Sequence, residues 1–247
     1  MKRYAVLIES SKLCGGGIPG AARDVVLLHD FLISNFGGAW EENEIITLHN
    51  PTENQLELVV DAISDAEYAF VSYSGHGSHS LDLDETKICV STGYGRSDCV
   101  FPVSKLRPSC LRSTLSIDCC RNVEEEGIYE SALSMLAMDS LRKEATSRIE
   151  YRKLFNSGVY AAETGCIRMY SCNIGESADE SPSGGFFTRG LVETAAWRIQ
   201  KGKDLILDMH QAFDDAYDYV QSKNPAQHPQ LYAGRRKRFF PWAVSPN

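Results

Sequence analysis

Hydrophobic residues along this chain fall into two alternating patterns, short unbroken runs and stripes at helical spacing. Tyr4-Ala5-Val6-Leu7-Ile8 is a continuous apolar run, which predicts a strand covered on both faces. After a glycine-rich loop, Val25, Leu28, Phe31 and Leu32 form the stripe of a helix from about Ala21 to Asn35, ended by Gly37-Gly38. A strand at Glu44–Leu48 follows, then an amphipathic helix over Glu53–Ala66 that buries Leu56, Val59, Val60 and Ile63. Tyr68-Ala69-Phe70-Val71 and Ser113–Ile117 predict two further buried strands. Residues 78–112 between them read as irregular, with a hairpin at Lys87–Val90 and Cys99–Phe101. Downstream come a strand at Ile167–Ser171, a Ser/Gly-rich loop from Cys172 to Gly185, and helices at Phe186–Gln200 and Leu205–Ser222. Gln230-Leu231-Tyr232 predicts an edge strand, and Phe239-Phe240-Pro241-Trp242 can pack back onto the body. Strands alternating with helices predict an α/β domain, with no internal repeat to divide residues 1–247.

Two strand ends carry chemistry. Ser72-Tyr73-Ser74-Gly75-His76-Gly77 runs from a strand into a tight turn tipped by a histidine, and Asp118-Cys119-Cys120-Arg121 ends a second strand in two thiols. In open α/β sheets, loops at the carboxyl ends of strands are where ligands bind. A histidine within hydrogen-bond reach can take the proton of a thiol that is otherwise mostly neutral at pH 7. Side chains alternate along an extended segment, so Asp118 and Cys120 share one face and Cys119 points into the core. Cys120 is therefore the candidate nucleophile and His76 its base. The backbone N–H groups of Gly77 and Cys120 are candidate oxyanion donors, and Gly77 would let a substrate backbone approach.

Composition narrows the picture. A net charge of −8 disfavours a nucleic-acid binder, and no run approaches a membrane span. The Arg235-Arg236-Lys237-Arg238 run reads as a solvated turn. Most of the eight cysteines, including Cys89, Cys99, Cys166 and Cys172, sit among apolar residues, which predicts buried thiols and a cytoplasmic location. Gly15, Gly17 and Gly20 fit a dinucleotide fingerprint, but the next strand ends in His49-Asn50 without the required acid, so nucleotide binding is disfavoured. His76 and His79 lack further ligands for zinc, and no metal is expected there.

The histidine and cysteine motifs, Ser72–Gly77 and Asp118-Cys119-Cys120, resemble those of metacaspases, within the caspase-like cysteine peptidases and close to their prokaryotic type. Caspases also place the histidine roughly 50 residues before the cysteine, and here the separation is 44. Gly20–Asp24, Tyr170-Ser171-Cys172, Glu176–Asp179, Gly184–Thr188 and the stretch from Gln230 to Pro241 extend the likeness over nearly the whole chain. The resemblance implies a three-layer sandwich, a mostly parallel six-stranded sheet with helices on both faces. It implies an endopeptidase that cuts after Arg or Lys through a thioester, using His76 and Cys120. Asp24, Ser74 and Asp118 match the acidic pocket that receives the basic side chain, and carboxylates suit a guanidinium. The alternative is a caspase-like domain that serves as a binding or scaffold module without catalysis.

Departures and regulation complete the reading. Where the family carries His-Ser-Gly after its cysteine, this chain has Arg121-Asn122-Val123. No cofactor is expected; calcium, which many metacaspases require, would have only the scattered acids Asp82, Asp84, Glu85 and Asp98. Residues 123–165 occupy the place of a cleavable linker, with Arg142, Lys143, Arg148, Arg152 and Lys153 as processing sites for the enzyme itself or an upstream protease. Latency until such a cut, and partners limited to basic protein or peptide substrates and an activating protease, are the corresponding expectations.

Overall fold

The apolar runs pair with one another because no other surface covers both of their faces. In the computed structural model, which describes residues 1–15, 17–123, 148–202 and 205–246, the elements follow in this order. β1 (Arg3–Ser10), α1 (Pro19–Ile33), β2 (Ile45–His49), α2 (Glu53–Ala62) and β3 (Tyr68–Gly75) open the chain. β4 (Gly77–Ser80), β5 (Glu85–Gly93), β6 (Arg96–Pro102) and β7 (Arg112–Asp118) come next, then α3 (Arg148–Ala161) and β8 (Gly165–Tyr170). β9 (Glu180–Ser181), β10 (Gly184–Gly185), α4 (Phe186–Gln200), β11 (Ile206–Asp208), α5 (Met209–Lys223), β12 (Gln230–Tyr232) and β13 (Pro241–Val244) complete it.

The main sheet has six strands in the order β12-β8-β7-β3-β1-β2. Five run parallel and β12 closes one edge antiparallel. Period-two alternation sends Ala5, Leu7, Tyr68, Phe70, Ile167 and Met169 to one face, where α1, α3, α4 and α5 cover them. Val6, Ile8, Val71, Tyr73, Leu115 and Ile117 face the other side, under α2 and the antiparallel sheet β4-β5-β6. The fold is thus the expected α/β sandwich, with a small sheet replacing part of its second helical layer. Local signals fix the helix ends. Thr52 caps α2 in a reciprocal box with Gln55, and Asp208 accepts from the N–H groups of His210 (2.9 Å) and Gln211 (3.0 Å) at the start of α5. Among the described residues no helix is long and apolar enough to cross a membrane.

Four expectations are corrected. The hairpin expected at Lys87–Val90 and Cys99–Phe101 is present as β5 and β6, but the rest of 78–112 is less irregular than expected, because both strands run longer and β4 precedes them, their half-exposed faces leaving no continuous apolar run to read. The last long helix begins at Met209 rather than Leu205, because Ile206–Asp208 pairs with β13 first. The linker expected over 123–165 does not extend to its second half. Arg148–Ala161 is a helix with Phe155 and Val159 in the core, and β8 begins at Gly165. Within that helix Arg148 donates to the Ile33 carbonyl (2.6 Å) and to Trp40, and Arg152 donates to the Ala39 carbonyl (3.0 Å) and grips the Glu44 carboxylate (2.8 Å). These anchored positions, and Lys153 on the same helix, are not extended segments that a protease can thread. Arg142 and Lys143 lie outside the described residues. Finally, Cys89 is no isolated core thiol, because it is joined to Cys14 in a disulfide.

Candidate active site

β3 and β7 are neighbours, with Ser74 paired to Asp118. His76 and Cys120 each stand two residues further along, so the same 44-residue offset carries both to the carboxyl end of the sheet. The tips are in contact there. A Cβ built on Gly77 would come within 2.5 Å of Cys119 Sγ and 2.9 Å of the Cys120 carbonyl oxygen. Gly77 is therefore small because the protein's own cysteine loop packs against it, a reason distinct from substrate approach. The His76 carbonyl accepts from Tyr73 Oη (2.7 Å) and from the Cys89 N–H (3.1 Å), which ties the histidine tip to β5.

Alternation along β7 sorts the two thiols. Cys119 is buried in the same apolar cluster as Leu115 and Ile117, whereas Cys120 is partly exposed. Burial pushes both thiols up, Cys119 far more than Cys120. The Ala178 N–H donates toward Cys120 Sγ at 3.4 Å and, with the Ser177 hydroxyl, favours thiolate over thiol. Ala178 belongs to a loop clamped to the residue after Cys120. Arg121 N–H donates to the Glu176 carbonyl and Gly175 N–H donates to the Arg121 carbonyl, both at 2.9 Å. The Arg121 side chain is buried, lies 4.2 Å from the Tyr170 ring, and donates to Thr86 Oγ1 (3.0 Å) and the Cys172 carbonyl (3.3 Å). The arginine thus pins the loop after Cys120 to two neighbouring segments. Glu176 in turn accepts from His228 at its backbone N–H and Nδ1, both at 2.8 Å.

Beside Cys120 lie acids, with Arg189 near Asp24 but paired with Glu193. Asp24 and Asp118 are almost fully buried. Asp24 accepts from Ser74 Oγ (2.5 Å) and the Gly185 N–H (2.9 Å), and Asp118 accepts from Thr188 at both N–H (3.1 Å) and Oγ1 (2.7 Å). Close approach demands glycine on the opposing hairpin, since a Cβ at Gly184 would meet Asp24 Oδ1 at 2.5 Å and one at Gly185 would collide with Asp118. Burial raises both carboxyls, and the charge of Asp118 raises Asp24 further. Glu180 on β9 joins them over Gly20, pushed up to about 7 by burial and then by Asp118. An arrangement of this kind favours a bound guanidinium or ammonium, which would let the carboxyls ionise together.

The structure brings together five of the residues singled out in the sequence, with Asp24, Ser74 and Asp118 in one hydrogen-bonded cluster and the His76 and Cys120 tips beside it. It leaves Arg148, Arg152 and Lys153 on α3, whose helix packs between α1-side residues and Glu44 instead. Asp82, Asp84, Glu85 and Asp98 do not form a metal-binding group among the described residues. Thr188, Glu180, Ala178 and the structural role of Arg121 were not read from the sequence. The S/T at the first turn of α4 was a legible cue for Thr188, but a helix dipole end needs its partner's position before it means anything.

Comparison with known proteins adds three findings. The family described as Caspase domain matches residues 2–240 of the chain. The crystal structure of Caspase-1 from Spodoptera frugiperda superposes with a TM-score of 0.59 at 13% identity, covering 95% of this chain and 88% of that one. No curated protein sequence matches.

Proposed function

The chain belongs to the caspase-domain family of cysteine peptidases, and from that premise we propose a metacaspase-like endopeptidase that cuts after Arg or Lys. The observation that carries this reading is the buried Asp24–Asp118 pair beside Cys120, two carboxyls whose hydrogen-bond partners among the described residues are hydroxyls and backbone amides and which burial raises. A substrate guanidinium entering there gains charge-assisted bonds that an aspartate side chain would lose to repulsion. His76 takes the Cys120 proton, and the sulfur attacks the acyl carbon to form a tetrahedral oxyanion. The N–H groups of Gly77 and Cys120 are the donors assigned to that oxyanion, a role typically worth about 10²–10³ in rate. The amine leaves with the proton from His76, and water then hydrolyses the thioester to regenerate the thiol. Ser74 holds Asp24 through its hydroxyl and so orients the pocket. These steps need no cofactor.

Latency fits the position of Ala178, whose backbone lies over Cys120 Sγ in this structure. Moving the Glu176–Asp179 loop would uncover the sulfur, and cleavage in 124–147 or a protein partner is the trigger we assign. A panel of fluorogenic peptides ending in Arg, Lys or Asp, tested on wild type, Cys120→Ala and His76→Ala, decides the matter. Cleavage of the Arg and Lys peptides by wild type alone supports the reading. Cleavage of Asp peptides overturns the specificity, and inactivity after limited proteolysis of the 124–147 segment favours the scaffold alternative.

A further inference from the structure

Away from the cleft, three sulfurs meet that the proposed chemistry does not use. Cys14 in the loop after β1, Cys89 on β5 and Cys99 on β6 place all their sulfurs within 4.8 Å of one another. Cys14 and Cys89 are joined in a disulfide, and Cys99 Sγ stands 4.0 Å from Cys14 Sγ. Cys89 and Cys99 are also direct cross-strand partners. Opposed residues of antiparallel strands have Cα atoms about 4.5–5.5 Å apart, inside the range a disulfide spans. Cys89 is thus within reach of either partner, Cys14 through the existing bond and Cys99 across the strand pair.

We propose that Cys14, Cys89 and Cys99 form a thiol–disulfide relay, in which Cys99 displaces Cys14 from Cys89 and so releases the loop between β1 and α1. The Cys99 thiol loses its proton to solvent, and its sulfur attacks Cys89 Sγ. The Cys89–Cys99 bond forms as Cys14–Cys89 breaks, and the electron pair departs on Cys14, which takes a proton from solvent. No net oxidation occurs, so no outside oxidant is needed. Solvation sets the direction. Cys89 is fully buried and Cys14 only partly so, which makes Cys14 the sulfur that can leave as a solvated thiolate. Hydrogen bonds fix Cys89 further, since its carbonyl accepts from Ser10 Oγ (2.8 Å) and its N–H reaches the His76 carbonyl (3.1 Å). Cys14 is the mobile end by contrast. It sits at φ 55°, a left-handed conformation uncommon outside glycine, held by the disulfide and by one bond from its N–H to Ser97 Oγ (2.6 Å). Gly15 beside it, at φ 84° with nothing within 4 Å of a built Cβ, gives the freed end little resistance to opening.

Disulfide mapping by mass spectrometry tests this without reference to peptidase activity. The full-length Cys120→Ala chain is held at about pH 8.5, where thiolate is abundant, then acid-quenched, alkylated and digested without reduction. The relay predicts two linkages, Cys14–Cys89 and Cys89–Cys99, with Cys14 alkylated in the second. Adding Cys99→Ser should leave Cys14–Cys89 alone and slow tryptic cleavage after Lys12 by about fivefold or more, as expected when a local opening is suppressed. Cys14–Cys89 as the sole linkage in Cys120→Ala overturns the proposal. So does stoichiometric zinc held by all three thiols in protein refolded with the metal. Should Cys99→Ser fold poorly, the linkage map with Cys99 present decides alone.

Discussion

The two ends of the main sheet each bury a group of charges, and they treat them in opposite ways. At the amino end, Arg3 lies inside the protein 4.3 Å from the Trp40 ring, pairs with Glu44 at 3.4 Å, and shares that carboxylate with Arg152. Burial pulls the Arg3 guanidinium down to about 10, and the same burial would raise Glu44, yet Arg152 and Arg3 outweigh it and hold the Glu44 carboxyl below its ordinary range. At the carboxyl end, Asp24, Asp118 and Glu180 lie together, Asp24 and Asp118 accepting from hydroxyls and amides, with Arg189 near Asp24 but paired with Glu193, and all three carboxyls rise. Carboxyls held low are already matched by the cations of the fold. Carboxyls that burial and one another raise gain from an added cation, which is what the proposed specificity builds on.

That contrast can be broken in four ways. The largest effect is expected from Cys120→Ala, which should cut turnover of an arginyl peptide by about 10⁴-fold or more while an arginine-bearing competitive ligand still binds, measured by calorimetry. Asp118→Asn should lower kcat/KM for the arginyl peptide by roughly 30-fold or more, with thermal stability unchanged or higher because a buried charge has been removed. Equal kcat/KM in the two proteins would detach the acids from specificity. Glu44→Gln should do the reverse, costing roughly 2–3 kcal/mol in denaturant unfolding by stranding Arg3, with kcat/KM intact once corrected for the folded fraction. The smallest effect concerns pH. Glu180 holds its proton more tightly folded than unfolded, so its contribution to stability is complete below about pH 4.5 and fades as pH rises through about 7. The melting temperature should therefore decline across that window, more shallowly in Glu180→Gln and in the presence of an arginine-like cation. A window identical in wild type and Glu180→Gln would assign the decline to other groups.

Strands that are buried on both faces were easy to find, since β1, β3 and β7 need unbroken apolar runs and little else does. Of the small sheet only the hairpin core of β5 and β6 was legible, and β4 and the strand ends escaped because their exposed faces dilute the pattern, as β11 did because three residues leave no period to detect. The candidate dyad was legible for a related reason. Parallel neighbours in register convert a sequence offset into a position, and the same offset that pairs Ser74 with Asp118 carries His76 and Cys120 to the same end of the sheet. Nothing comparable announced Arg121, whose role depends on Thr86 of β5 and on Tyr170 and Cys172 at the end of β8 arriving from two other segments.

Local rules in the chain itself therefore settled the strands β1, β3 and β7, the helices α1, α2 and α4, and the sorting of a buried Cys119 from a partly exposed Cys120, because alternation and helical periodicity act between residues a few positions apart. Tertiary structure alone decided that α3 is part of the core rather than a linker, that Cys14 meets Cys89, and that Glu180 joins Asp24 and Asp118. Those outcomes turn on burial and on charges brought together from distant segments, and neither burial nor charge proximity is a property of any short stretch of sequence.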